Sequence, residues 1–257
     1  MSTHTTLILG DTSYPWIDIV DRGARAATGL ARFGINRNDS IALLLRNDPP
    51  FFEVTTAAQR LGAYSVPINW HFTPDEVLHV LRDSNAKVLV VHTDLLQPIQ
   101  DQLPEELLVL VIETPQAIRT AYAIAPLLCQ VPNNIQSWSN WLSNFPPKPL
   151  QFDSVPNAMM YTSGTTGRPK GVRREAASPE QANQLRSTEP QVLGNRPGMR
   201  VVICGPLYHA APIHFARVAL DTGTLMVLQP RFDALELLQL IQRHHITGIF
   251  LAPIMFV

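Results

Sequence analysis

Short apolar runs recur along the chain, each followed by a stretch in which apolar residues return at helical spacing. Residues 17–33 predict a helix closed by Gly34, residues 40–46 (SIALLLR) a buried strand, and residues 50–61 a helix closed by Gly62. Residues 64–68 predict the next strand. Thr73, Pro74 and Glu76 then supply an N-cap, a proline in the first turn and a capping-box glutamate. Val77, Leu78 and Leu81 would face inward from that helix, and residues 87–92 (KVLVVH) form another strand. Further on, strands are expected at 157–162, 200–204, 224–228 and 246–251. Asp233 and Glu236 start a helix with Leu237, Leu238 and Ile241 on its inner face. Strand and helix alternate, so the fold class is α/β, with layered βαβ units and largely parallel sheets.

Six prolines fall between Pro126 and Pro156, including Pro146, Pro147 and Pro149, and such a run continues neither a helix nor a central strand. This stretch divides the chain into a first α/β subdomain, residues 1–150, and a second, residues 151–257. The 257 residues carry 20 Lys plus Arg against 21 Asp plus Glu, with 46% hydrophobic residues, which excludes intrinsic disorder and argues against nucleic acid as a partner. Cys129 and Cys204 are too far apart for a cysteine metal motif and are read as small buried residues. The start MSTHTTLILGDTS has no basic n-region, and no apolar run approaches the roughly 18 residues of a membrane helix. A reducing, cytoplasmic setting without a transmembrane segment is the expectation.

One segment carries chemistry. In residues 161–172, YTSGTTGRPKGV, a strand end runs into hydroxyls, three glycines and one lysine. Glycines let backbone N–H groups converge on an anion, hydroxyls add donors, and a lysine adds a full charge on a long stem. That composition describes a phosphate cradle. It is not a Walker A loop, because Lys170 lies between Pro169 and Gly171, and the glycine spacing does not make a dinucleotide fingerprint.

This string resembles the signature loop of the adenylate-forming superfamily, which includes acyl-CoA synthetases, luciferases and peptide-synthetase adenylation domains. Residues 205–212, GPLYHAAP, resemble the family's next motif, and residues 41–47, 60–63, 66–69 and 83–87 are similar to its acyl-CoA synthetase branch. The resemblance spans residues 17–257. It implies that a carboxylic acid, a fatty acid in the first instance, is activated by ATP with Mg2+ to an acyl-adenylate and passed to coenzyme A. By motif position Thr162, Ser163, Gly164, Thr165, Thr166, Gly167 and Lys170 would hold the ATP phosphates. Thr162 would also lie beside the Mg2+, and Lys170 and His209 would be the catalytic residues, His209 where acid and thiol meet. Many relatives carry Ser/Thr-His after the loop, whereas this chain runs Val172-Arg173-Arg174. A carboxylic acid, ATP, coenzyme A and a second copy in a homodimer are the expected partners.

The same resemblance places the adenine, ribose and further magnesium ligands, and a mobile C-terminal domain with a catalytic lysine, beyond Val257. The chain therefore reads as the N-terminal part of a synthetase, inactive by itself. An acyl-AMP ligase that loads a carrier protein and a non-catalytic module are the alternative readings. Packing at a strand end is the plainer account of His209. His244 and His245 would place cationic rings at a helix end, and Arg173 and Arg174 would belong to a solvated face.

Overall fold

The structure is a computed structural model that describes residues 5–149, 156, 158–162 and 168–256. A hairpin of β1 (Thr6–Leu9) and β2 (Thr12–Pro15) leads into α1 (Trp16–Arg32), β3 (Ser40–Leu44), α2 (Pro49–Leu61), β4 (Tyr64–Pro67) and α3 (Pro74–Asp83). Next come β5 (Ala86–His92), α4 (Thr93–Leu96), β6 (Leu108–Ile112), α5 (Gln116–Tyr122), β7 (Gln136–Ser137) and α6 (Trp138–Leu142). The later part supplies β8 (Met160–Thr162), β9 (Lys170–Val172), α7 (Pro179–Val192), β10 (Arg200–Ile203), α8 (Ala210–Thr222), β11 (Leu225–Leu228), α9 (Ala234–His244) and β12 (Gly248–Ile249).

The local signals act as their chemistry requires. Gly62 closes α2 at φ 64°, in the left-handed region that glycine enters freely. Thr73 accepts from the Glu76 amide while its own N–H donates to Glu76 Oε2 at 2.8 Å, completing the capping box of α3.

Among the described residues the strands form two five-stranded sheets and a separate β8–β9 pair. The first sheet has the order β4-β3-β5-β6-β7 and is parallel throughout. The second has the order β12-β10-β11-β1-β2, parallel except for the β1–β2 hairpin, with Leu7 opposite Met226. One sheet thus draws strands from both sides of the proline-rich stretch.

Alternating residues sort into layers. Ile41, Leu43 and Leu45 point into a core between the sheets, shared with Leu30 of α1, Phe52 of α2, Phe215 of α8, and Leu7 and Met226. Ala42 and Leu44 point the other way, onto Leu78 and Leu81 of α3. The outer face of the second sheet, Val202 and Val227, is covered by Leu237 of α9. Strands buried on both faces read as continuous apolar runs, which explains why periodicity finds them.

Three expectations change. Leu238 is 64% exposed, because α9 presents Leu237 inward and turns Leu238 to the outside. The strand expected at 246–251 narrows to Gly248–Ile249, and the one at 157–162 to Met160–Thr162, with Asn157 outside the described residues. Helices α7 and α8 and the β1–β2 hairpin were not expected. Arg173 and Arg174 are exposed, as expected, and the Arg173 guanidinium also lies 4.5 Å from the Tyr64 ring centroid and donates to Asn38 O.

Candidate functional site

The glycine- and hydroxyl-rich loop leaves β8 and returns in β9, and these strands are antiparallel with Thr162 directly opposite Lys170. The two stems of the loop are therefore a hydroxyl and an ammonium side chain at one end of a hairpin, both exposed. Ser163, Gly164, Thr165, Thr166 and Gly167 lie outside the described residues. Glycine is needed at 171 for packing as well. A Cβ there would come within 2.7 Å of Tyr161 Cζ and displace the ring that lies across the hairpin.

Helix α3 and strand β4 hold the hairpin. Tyr161 Oη donates to Asp83 Oδ2 at 2.6 Å. Burial, then the hydrogen bond and charge of Asp83, raises the Tyr161 pKa and keeps the hydroxyl a donor. His79 Nε2 lies 3.0 Å from Pro169 O, and since a carbonyl only accepts, that nitrogen carries the hydrogen. Met159 N donates to Ser65 O at 2.8 Å, and Tyr64 Oη donates to Arg174 O at 3.0 Å.

His209 is the N-cap residue of α8, at the end of the segment that leaves β10. Its ring lies 4.3 Å from that of Tyr208, and Tyr208 meets Trp70 edge-on at 4.6 Å. Neighbouring groups partly desolvate the imidazole and lower its pKa, so the neutral ring is favoured. Burial, with a smaller contribution from Tyr122, pushes the Tyr208 phenol up to about 12. The hairpin and the His209 segment are both held from residues 64–83: Trp70 packs on Tyr208, while His79 and Asp83 hold the hairpin.

In a doubly wound sheet, ligands lie outside the carboxyl ends of strands whose connections diverge to opposite faces. Among the described residues such forks lie beside β3 and beside β10. From β3 the chain turns to α2 in the central core, whereas β4 leads to α3 and β5 to α4 on the outer face, and the β3–β5 fork is filled by an Arg–Asp pair and a His–Asp pair. Arg46 Nη1 meets Asp94 Oδ2 at 2.8 Å, and His92 Nε2 meets Asp48 Oδ2 at 2.9 Å, all four side chains buried. The Arg46 amide donates to His92 Nδ1, so the ring's hydrogen sits on Nε2 and points at Asp48. The second fork lies between β10, leading to inner α8, and β11, leading to outer α9. It carries the Gly205–His209 segment.

Sequence reasoning missed Asn47, Trp70, His79 and Asp83 as site neighbours, since their partners lie 78 or more residues away. The thiols lie outside this arrangement. Burial raises the pKa of both Cys129 and Cys204, the latter to about 11, so neither is a ready nucleophile at neutral pH. At the end of α9 the capping cation is Arg200, whose Nε donates to His244 O at 2.6 Å. His244 ends α9 and His245 is its C-cap, as expected, while burial and the neighbouring cations lower the His244 pKa and favour its neutral ring. No described helix is long and apolar enough to cross a membrane.

A family model described as "AMP-binding enzyme" matches residues 2–257. The feruloyl-CoA synthase of an Amycolatopsis species is 29% identical over 261 residues, covering 100% of this chain and 47% of that protein. The 4-coumarate–CoA ligase 2 of Nicotiana tabacum is 30% identical over 250 residues, covering 94% of this chain and 43% of that protein. Among solved structures, the N-terminal domain of FACL13 from Mycobacterium tuberculosis superposes with a TM-score of 0.74 at 25% identity, covering 99% of this chain and 60% of that one. The chain spans about half the length of the curated relatives it matches.

Proposed function

The chain belongs to the AMP-binding enzyme family, and from that premise we propose that the protein carrying it joins a carboxylic acid to coenzyme A through an acyl-adenylate. One observation supports this most: Thr162 and Lys170 are registered as the stems of the loop that the phosphate-cradle reading singles out. A hydroxyl, an ammonium group and glycine-freed amides suit a polyphosphate, whose charge is spread over several oxygens. Thr162 offers one neutral oxygen, enough to accompany a Mg2+ held mainly by phosphate oxygens. ATP bound there supplies a leaving group that a free carboxylate lacks.

The roles of the residues follow from their chemistry. Thr162, Ser163, Gly164, Thr165, Thr166, Gly167 and Lys170 bind the phosphates, and Lys170 opposes the charge that develops as pyrophosphate departs. His209, held at a helix N-cap with a lowered pKa, presents a neutral ring to the acid and to the arriving thiol. Trp70 and Tyr208 offer apolar surface beside it. The acid is read as a fatty acid. A second reading, an aromatic propenoic acid, is favoured by the names of the feruloyl- and coumarate-activating relatives.

Residues 1–257 alone are expected to bind nucleotide weakly and not to turn over. The test is carboxylate-dependent ATP–pyrophosphate exchange across fatty and aromatic acids, with coenzyme A and a carrier-protein thiol as rival acceptors. Exchange with thioester formation on coenzyme A supports the proposal. Transfer to the carrier alone replaces coenzyme A as acceptor, and absence of exchange with every acid overturns the enzyme reading.

A further inference from the structure

Asn47 stands just past the end of β3 and is 1% exposed, yet its side-chain hydrogen bonds go to segments that follow strands of the other sheet. Its Oδ1 accepts from Leu207 N at 2.9 Å, and its Nδ2 donates to Gly205 O and to Gln229 O, both at 3.1 Å. Gly205 follows β10 and Gln229 follows β11, so one amide spans the fork at which those strands diverge. A buried amide that satisfies three partners fixes them closely, because each would otherwise be a buried polar group without a mate. Two residues after Leu207 comes His209, whose own N–H returns to Pro206 O at 3.1 Å. The path from Gly205 to His209 is therefore set from the first sheet.

We propose that Asn47 is a positioning residue: it fixes the Gly205–His209 segment across the β10–β11 fork and so sets where the His209 ring stands. The inference rests on the reading of His209 as a site residue for its functional consequence, but not for its structural part. Arg46 and Asp48, on either side, form their ion pairs with Asp94 and His92 on the first sheet's side, whereas the hydrogen bonds of the Asn47 side chain reach the second. An aspartate at 47 keeps an acceptor for Leu207 N but places an oxygen against the carbonyls of Gly205 and Gln229. A serine keeps polarity with shorter reach.

The test begins with the unmodified chain. Hydrogen exchange at the Leu207 amide should be as slow as at the amides of β10 and β11, and fast exchange there overturns the proposal without any variant. Asn47→Asp and the milder Asn47→Ser are then compared with Val111→Ala, a substitution in β6 on the outer core of the first sheet used as a control for lost stability. In chain labelled at histidine, with the signal assigned by His209→Gln, both Asn47 variants should move the His209 ring resonance and Val111→Ala should not. In the whole protein they should raise the KM for the acid or slow thioester formation about tenfold, with the KM for ATP unchanged. Equal effects from Val111→Ala would reduce Asn47 to a stability role and overturn the proposal. If the ring resonance moves but His209→Gln leaves both half-reactions at the parental rate, the positioning stands and the functional reading of His209 falls.

Discussion

At the scale of single residues, the two stems of the loop differ in what they should contribute. Lys170 supplies a full charge near a polyanion, so Lys170→Ala should cost about 2–4 kcal/mol of transition-state stabilisation in adenylate formation, with little change in acid binding. Pyrophosphate-exchange kinetics at parental levels would remove Lys170 from the site. His209 makes a pH prediction. Its pKa is lowered by partial desolvation, so the folded protein takes up this proton at lower pH than the unfolded chain does. An acidic limb in thioester formation assigned to His209 should thus lie below the ordinary imidazole value of about 6.5, and His209→Gln should abolish it. The same sign gives a small loss of stability as pH falls below that value. A limb that persists in His209→Gln belongs to another group.

Elements explain both what the sequence discloses and what it withholds. Strands β3, β4, β5, β10 and β11 are buried on both faces and read as apolar runs, while the capping signals of α3 and α9 are local and appear without any partner. Helix α7 has no buried residue and so no periodicity to find. Strand β1 is four residues long and takes its parallel partner from 219 positions later, at Thr6 and Leu225. The phosphate loop is legible from its composition, but its platform is not, because Tyr161 and Asp83, or His79 and Pro169, meet only once the chain has folded. That platform is open to test. Tyr161→Phe removes the donor to Asp83, worth about 1 kcal/mol for a partly exposed bond. Amides of residues 160–162 and 170–172 should then exchange faster and the KM for ATP should rise, with the KM for the acid unchanged. Faster exchange with an unaltered KM for ATP would make the platform merely structural.

At the scale of the whole molecule, the central core decides how the two sheets depend on each other. Leu7 and Leu9 of β1, Ile41 and Leu43 of β3, and Met226 and Leu228 of β11 belong to one buried cluster, so neither sheet completes its inner face alone. Asn47 and Tyr122, whose hydroxyl donates to Pro230 O at 3.1 Å, add polar links between the same halves. Two subdomains divided at 150/151 should therefore unfold together. Met226→Ala, deep in the shared core, should cost about 2–5 kcal/mol through lost contact and the cavity left behind. The denaturation midpoint should fall equally for a fluorescence probe at Trp138 and Trp141, on the first sheet's side, and for hydrogen exchange in β10 and β11. A piece comprising residues 1–150 would lack the parallel partner of β1 and the α8 side of the core, leaving Leu7 and Leu9 of β1 without their β11 neighbours. It should bind a hydrophobic dye and show weak near-ultraviolet dichroism. Two separate transitions in the full chain, or a piece of residues 1–150 with native-like dichroism and no dye binding, would show that the sheets fold independently.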